Sequence, residues 1–487
     1  MHIKIIFRLL LTGFTYLPVY LFVFIVNSPT LHADDDTEIR QLRVLLKSIE
    51  QRLSALEQKQ TQSKKSASEG LDAPSSVAAT AASSSQKQSS NKVLITESAQ
   101  SLNLLHVGGV TQLDSRLFLN DGGGVINNSF ILRRARITTD GTLGNLASFL
   151  FIPEFGNGSS GIANAVTILD ANATVNFDPR FQVKFGKFKS PVGLEELQTD
   201  PNTQFVERSL VNNLMPNRDI GFVVGGSLYS GTVAYSIGLV NGTADNTLSS
   251  GNSDFDNDKD GVARIFFQPF IHDTKSISQG LGFGVGASDG RQKGLAGVTS
   301  GYRSDGQQAF FKYASSVYAD GRVWRVSPQA NYYNGPLSIF TEYAISTVNV
   351  RPSAPTASFS LPKVTLQNKA WDFNLGWVLT GEAASYAGVV PRQSFDYSSG
   401  SFGAFQVVAR YSELNIDPFV FPLFASPLTN PQKAKAMGIG LNWYLSKSVR
   451  FAQDFFQTSF TNLMGTSTTQ ILRQDENVFI TRLQLSF

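Results

Sequence analysis

The stretch Trp371-Asp372-Phe373-Asn374-Leu375-Gly376-Trp377-Val378-Leu379 decides the fold. Its odd positions are aromatic or aliphatic, and its even positions up to Gly376 are polar or bare. A period of two is that of an extended strand with one apolar and one polar face. The pattern recurs along the chain. Leu169, Ala171, Ala173, Val175 and Phe177 oppose Asp170, Asn172, Thr174 and Asn176, while Met437, Ile439, Leu441, Trp443 and Leu445 oppose Gly438, Gly440 and Asn442. Nearer the N-terminus, Val107, Leu113, Leu117 and Leu119 oppose Gln112, Asp114 and Arg116. Alternation of this kind runs from about residue 101 to the C-terminus.

A soluble sandwich would hide the apolar face in a core, whereas an outer-membrane barrel turns it to lipid and its polar face to a lumen. Many of the segments exceed the 9–11 residues needed to cross a bilayer at a tilt. Trp324, Tyr332, Trp371, Trp377, Trp443 and Tyr444 sit at segment ends, as interfacial girdles require. The polar faces carry whole runs of charge and amide, which a packed core could not hold without partners. An all-β transmembrane antiparallel barrel is expected. The 387 residues after residue 100 make about 16–19 strands, and the even-number rule selects 16 or 18, wide enough for an aqueous channel.

Composition agrees. Only 16% of the 487 residues are charged, against roughly 25% in a typical soluble domain. Past residue 26 no stretch approaches the ~18 apolar residues of a spanning helix, which excludes a polytopic helical protein. The absence of cysteine excludes a disulfide scaffold, and a net charge of +3 argues against a nucleic-acid partner. No cofactor motif is present.

The first hundred residues read differently. His2, Lys4 and Arg8 precede an apolar run from Leu9 to Val26, and Ala33 stands just before Asp34, which describes a signal peptide over residues 1–33. An uncleaved anchor is the alternative. Ile39, Leu42, Leu46, Ile49, Leu53 and Leu56 follow at spacings of three and four, a heptad seam in a coiled-coil segment expected over 34–60. A single amphipathic helix would also fit. Residues 61–100, mostly Ser, Ala, Gln and Lys in their first part, read as a disordered linker. At the other end, Phe479, Leu483, Leu485 and Phe487 share one parity, and the terminal Phe487 resembles the signal by which outer-membrane proteins reach their assembly machinery.

No enzyme constellation stands out among four histidines, no cysteine and no nucleophile elbow. Asp254, Asp256, Asp258 and Asp260 precede Gly261 like a calcium loop, but the twelfth position from Asp256 is Phe267 rather than Glu. A hydrated loop is expected there, and weak divalent binding is the alternative. The basic groups speak more to permeation. Arg116, Arg133, Arg134, Arg136, Lys184, Lys187 and Lys189 are candidates to line the lumen and contact anions, lowering the barrier for them. Pairing with lumen carboxylates such as Asp170 or Glu154 is the competing role. Arg133 and Lys187 have the lipid-facing parity, which places them at strand ends where long side chains snorkel. Between them and the strand near Ile220 lies Ser190 to Asp219, with Pro191, Pro201 and Pro216. A loop this long is usually functional, and its expected place is inside the lumen as a constriction carrying Glu195, Glu196, Asp200, Glu207, Arg208 and Arg218.

Phe185-Gly186-Lys187-Phe188-Lys189-Ser190-Pro191-Val192-Gly193-Leu194-Glu195-Glu196 resembles the strand-to-loop signature of the phosphate-selective porin O and P family. Phe205-Val206-Glu207-Arg208-Ser209-Leu210 and Pro216-Asn217-Arg218-Asp219-Ile220-Gly221 continue it in order. Leu132–Arg136, Leu379–Glu382, Val408–Ser412 and Gly440–Leu445 also match, so the resemblance spans roughly residues 105–487. It implies a 16-stranded homotrimeric channel in the outer membrane of a Gram-negative bacterium, surrounded by outer-membrane lipids. Known members hold phosphate or polyphosphate with lumen arginines and lysines, and Arg133 and Arg134 match that basic ladder. Glu195-Glu196 departs from an anion-selective pattern, and from residue 101 onward 30 basic residues face 29 acidic ones. The expected function is diffusion of small hydrophilic solutes, with selectivity for anions or phosphate left open. A tether reaching the periplasm or peptidoglycan through the heptads is the alternative.

Overall fold

The computed structural model describes residues 92–98, 101–119, 127–156, 166–249, 254–299, 301–353, 362–462 and 473–487. The expected signal peptide, the heptads and the tether reading that rests on them, and the linker as far as residue 91 lie outside the described residues. Within the stretch expected as linker, Lys92–Ser98 is a strand antiparallel to the residues from Ser101 to His106. Its run Val93-Leu94-Ile95-Thr96 has the β-branched character that strands favour, a signal masked by the Ser/Ala/Gln composition before it.

Among the described residues, sixteen strands close into one antiparallel barrel. They are β1 (Ser101–Phe118), β2 (Ser129–Leu143), β3 (Ala147–Glu154), β4 (Thr167–Asp178), β5 (Phe181–Lys189), β6 (Arg218–Leu228), β7 (Val233–Val240) and β8 (Asp260–Phe267). They continue as β9 (Leu281–Gly294), β10 (Tyr318–Asn334), β11 (Leu337–Arg351), β12 (Val364–Val378), β13 (Ala404–Asn415), β14 (Lys433–Tyr444), β15 (Val449–Thr461) and β16 (Glu476–Ser486). Each pairs with its successor, and β16 pairs with β1 from Val478↔Phe118 to Ser486↔Val110. Closure satisfies every ladder without an edge, which a sheet in lipid requires. The last residue completes it. Phe487 N–H donates to the Gly109 carbonyl (3.1 Å) and its own carbonyl accepts from Gly109 N–H (2.9 Å). Gly109 is bare because a Cβ there would stand 2.7 Å from the Phe487 ring.

Exposure decides which way the faces point. On β12, Phe373 and Trp377 are 43% and 48% exposed, whereas Asp372 and Asn374 are 0% and 4% exposed. A soluble core would show the reverse, so this barrel is apolar outside and polar inside. One end carries mostly short turns, such as 179–180 and 335–336. In the latter, Gly335 takes φ +52°, as a two-residue hairpin turn demands. The connection 379–403 at this end is far longer than its neighbours. The opposite end carries the long loops, including 190–217 between β5 and β6.

Three of those loops turn inward and build a core that alternation alone does not foretell. Leu210, Val211, Leu214 and Met215 of loop 190–217 pack with Tyr302, Phe310 and Phe311 of loop 295–317 and with Val420 and Phe424 of loop 416–432. The strand wall behind them is apolar on its lumen face too, through Ala344, Leu366, Ala370, Leu414 and Ala434. Alanine at three of these five positions leaves room for the aromatic rings.

Candidate constriction site

Loop 190–217 leaves β5 at Lys189 and is closed at its base by Ser190 N–H on the Asn217 carbonyl (2.9 Å). It then crosses the lumen. The Val192 carbonyl accepts from Gln329 Nε2 of β10 (2.9 Å). A single helical turn, α1 (Leu194–Leu197), presents the backbone N–H groups of Leu194 and Glu195 to the Glu342 carboxylate of β11, both at 3.1 Å. Farther on, Val206 N–H donates to Asp454 of β15 (2.7 Å). The loop therefore spans from β5 to the far wall and returns to β6.

Its charged half is held by the barrel's arginines. Glu207 accepts from Arg133 Nε (2.7 Å), Arg133 Nη2 (2.9 Å), Arg116 (2.7 Å) and Arg482 of β16 (3.1 Å). Asp114 sits between Arg116 (3.0 Å) and Arg482 (2.6 Å). Asp200 takes Arg134 (3.0 Å), Arg208 (2.6 Å) and Arg136, and Arg136 also meets Glu154 at 2.5 Å. Arg218 pairs with Asp170 (3.0 Å). Glu196 lies 3.6 Å from Arg208 and 3.9 Å from Arg218. Glu195 accepts from Ser209 N–H and Oγ (2.9 and 2.7 Å), with Arg410 at 3.7 Å.

A β-bulge makes the four-arginine wall possible. Gln112 pairs with Arg134 but Leu113 pairs with Leu132, so Arg133 is the extra residue. The alternation gave Arg133 the lipid-facing parity; the bulge shifts the register by one and brings Arg133 and Arg134 both to the lumen side. Phe130, Leu132 and Ile137 stay outside. Lys187 keeps the outward parity, pairing with Ala171 and Ile220, and its Nζ donates to the Ser249 carbonyl (2.6 Å). Lys189 Nζ donates to the Glu196 and Gln198 carbonyls (2.6 and 2.8 Å) and so pins the loop.

Three cations on lumen positions of the wall make no ion pair among the described residues: Arg450 of β15, which is spent on Asn442 and the carbonyls of Thr203 and Gln204, and Lys184 and Arg264. Lys184 of β5 makes no hydrogen bond or ion pair there, and Arg264 of β8 donates to Gln329 (2.9 Å) and lies 4.6 Å over the Phe266 ring. Arg264 and the partners Asp114, Glu342, Arg410, Asp454 and Arg482 were not singled out from the sequence as site residues. Each carries the lumen parity of its strand, which was the available signal. From the short-turn end, Tyr386 of connection 379–403 reaches up to donate from its hydroxyl to the Leu194 carbonyl (2.6 Å), and its carbonyl accepts from Gln198 Nε2 (2.8 Å). The constriction is thus supported from both mouths.

Burial pushes the carboxyls of Asp200 and Glu207 up, but the guanidinium groups outweigh it. Arg134, Arg208 and Arg136 hold Asp200 well below the usual carboxylate range, and Arg133 and Arg116 do the same for Glu207. Asp305, in loop 295–317 beside Arg410, goes the other way because burial prevails there. In the aspartate-rich stretch, Asp258 N–H donates to Asp256 (2.9 Å), Lys293 N–H donates to Asp256 (2.7 Å) and Lys259 meets Asp254 (2.5 Å). Asp260 stands apart on β8, and among the described residues no group of three or more acidic or imidazole side chains is gathered for a metal ion.

The model of the phosphate-selective porin O and P family matches residues 106–487. Porin O of Pseudomonas aeruginosa is 24% identical over 331 residues, 64% of this chain and 71% of that one. Among solved structures, the outer membrane channel DcaP of Acinetobacter baumannii shares the fold with a TM-score of 0.50, over 81% of this chain and all of that one, at 11% identity.

Proposed function

Because the chain belongs to the phosphate-selective porin O and P family and is an outer-membrane diffusion channel, we propose that it passes small hydrophilic solutes with a modest anion preference. Lys184 and Arg264 carry that preference in this reading, and the arginine run does not hold phosphate. The observation behind it is the pairing of Arg116, Arg133, Arg134 and Arg136 with Glu207, Asp200 and Glu154 of the loop and wall. A guanidinium engaged by a buried carboxylate offers a passing anion little net attraction. Reversal potential in a potassium chloride gradient tests it. The wild type is expected to favour chloride a few-fold, and Lys184→Gln with Arg264→Gln to abolish that preference. Cation preference in the wild type, or phosphate block that persists in the double variant, rejects the assignment.

The barrel assembles as a homotrimer in this reading, and its outer wall supports that. Gln453 on β15, Thr481 on β16 and Ser115 on β1 share one ladder row on the outward parity, between the row Phe451, Leu483 and Leu113 on one side and the row Phe455, Phe479 and Leu117 on the other. Amide and hydroxyl groups in hydrocarbon are costly unless partnered, and a second barrel supplies partners. Mass of the detergent-solubilised complex checks the count, and Gln453→Leu is expected to shift it toward monomer.

A further inference from the structure

The outer wall above the membrane is not uniform in charge. At the loop end of β12 to β14, Lys369, Lys433 and Lys435 all take the outward parity, with Glu413 among them. The ladder sets their spacing: Lys369 pairs with Asn415, which pairs with Lys433, and Glu413 pairs with Lys435. Strands lie about 4.8 Å apart and residues rise about 3.4 Å, so the Cα atoms of the three lysines fall within roughly 12 Å of one another. Lys433 meets Glu413 at 2.5 Å. Lys369 and Lys435 make no ion pair or hydrogen bond with a described residue. Other outward cations near the loop end differ: Lys187 is tied to the Ser249 carbonyl and Arg322 to Asp289 at 2.7 Å, while Arg291 beside Arg322 stands alone without a second unpaired cation next to it.

The height of the patch is fixed by what lies beneath it. Trp371 and Tyr411 meet at 5.2 Å with tilted rings on the same wall; Trp371 shares the ladder row of Glu413 and Lys435, and Tyr411 lies one outward step below it. Paired outward aromatics mark the level where hydrocarbon meets head groups. The lysines therefore stand at head-group height on the outside of the barrel. They are out of reach of a solute in the lumen, so the occupant must be a molecule resident in the leaflet. Two uncompensated ammonium groups select for phosphate on that molecule.

We propose that the β12–β14 wall binds the phosphate-bearing head group of an outer-leaflet glycolipid through Lys369, Lys435 and Lys433. The proposal rests on the outer-membrane placement of the barrel and is independent of its ion selectivity. The test uses the full chain in detergent, probed with bisphosphorylated lipid A and with the same lipid after dephosphorylation, counting bound lipid by native mass spectrometry. The phosphorylated lipid is expected to bind, and the dephosphorylated one to bind more weakly. Lys369→Gln with Lys435→Gln should weaken binding of the phosphorylated lipid about thirty-fold, at roughly five-fold per lysine. Lys369→Arg with Lys435→Arg should keep it, and Lys447→Gln at the opposite end should leave it unchanged. Equal binding of the two lipids by the wild type overturns the proposal even if the glutamine variant does not fold. Undiminished binding in a folded glutamine variant also overturns it, as does full competition by inorganic phosphate alone. Single-channel conductance on the same preparation reports on the channel itself, so loss of lipid binding with conductance intact counts against this site and leaves the porin untouched.

Discussion

The constriction loop is fastened by opposite physics at its two halves. From Asp200 to Arg208 charge dominates, with Asp200 and Glu207 each meeting three arginines around a small apolar anchor of Phe205 and Val206 against Phe456 and Ile480. From Leu210 to Met215 it is held by burial, in a core with Phe311 and Phe424. The first half pairs the arginines it meets with carboxylates, and the second fills the lumen beside it with apolar side chains. A wall of arginines is therefore no measure of a channel's affinity for anions until the loop that crosses it has been placed.

Removing the central carboxylate gives the largest expected effect. Glu207→Gln leaves Arg116, Arg133 and Arg482 with one compensating charge fewer in a buried setting, a loss of about 3–5 kcal/mol for the loop's seat. The lumen also gains one positive charge. Reversal potential should move several-fold toward anions, and phosphate should begin to block chloride current. If selectivity stays at the wild-type value, the ionic half is not what silences the arginines.

The apolar half is expected to respond in stability without responding in selectivity. Leu214 is fully buried in the core, so Leu214→Ala should cost about 2–5 kcal/mol. Urea unfolding monitored by near-ultraviolet signals would show the lowered midpoint, and single-channel traces should become noisier as the loop loosens. Reversal potential should not change, because no charge has moved. A shift as large as that of Glu207→Gln would mean that the two halves are one mechanical unit.

The same division explains what was legible beforehand. Closure and inside-out polarity follow from alternation in stretches such as Trp371–Leu379, because lipid enforces a strict period of two. Length leaves 16 or 18 strands, and the family resemblance selects 16. The loop's place follows from its length and prolines. Two things were hidden. Arg133 carries the lipid parity in the sequence, and nothing local announces the bulge that turns it inward; only the pairing of Leu113 with Leu132 does. The apolar seam breaks the rule of a polar lumen, since Ala370 and Leu414 face inward toward loops far away in the chain. Alternation reports what a strand meets when the lumen holds water. Where a loop replaces the water, both faces turn apolar and the pattern no longer says which is which.

Proton concentration gives the smallest effect and the finest separation. Asp200 and Glu207 are depressed well below the usual carboxylate range. Their contribution is present above the unfolded values near 4 and is lost only as pH falls through the folded values, below that. Asp305 is raised by burial despite Arg410, so its sign is reversed: the stability linked to its protonation is present at acid pH and lost as pH rises through the folded value. Lowering pH should therefore protonate Asp305 while Asp200 and Glu207 stay charged. One negative charge disappears from the loop side of Arg410, and selectivity should drift slightly toward anions with conductance nearly constant. Asp305→Asn should show that drift already at pH 7 and respond less to acid than the wild type. If the drift survives undiminished in Asp305→Asn, another carboxylate answers to acid. If the reversal potential instead jumps to that of Glu207→Gln on the same acidification, Asp200 and Glu207 are held less firmly than their arginines imply.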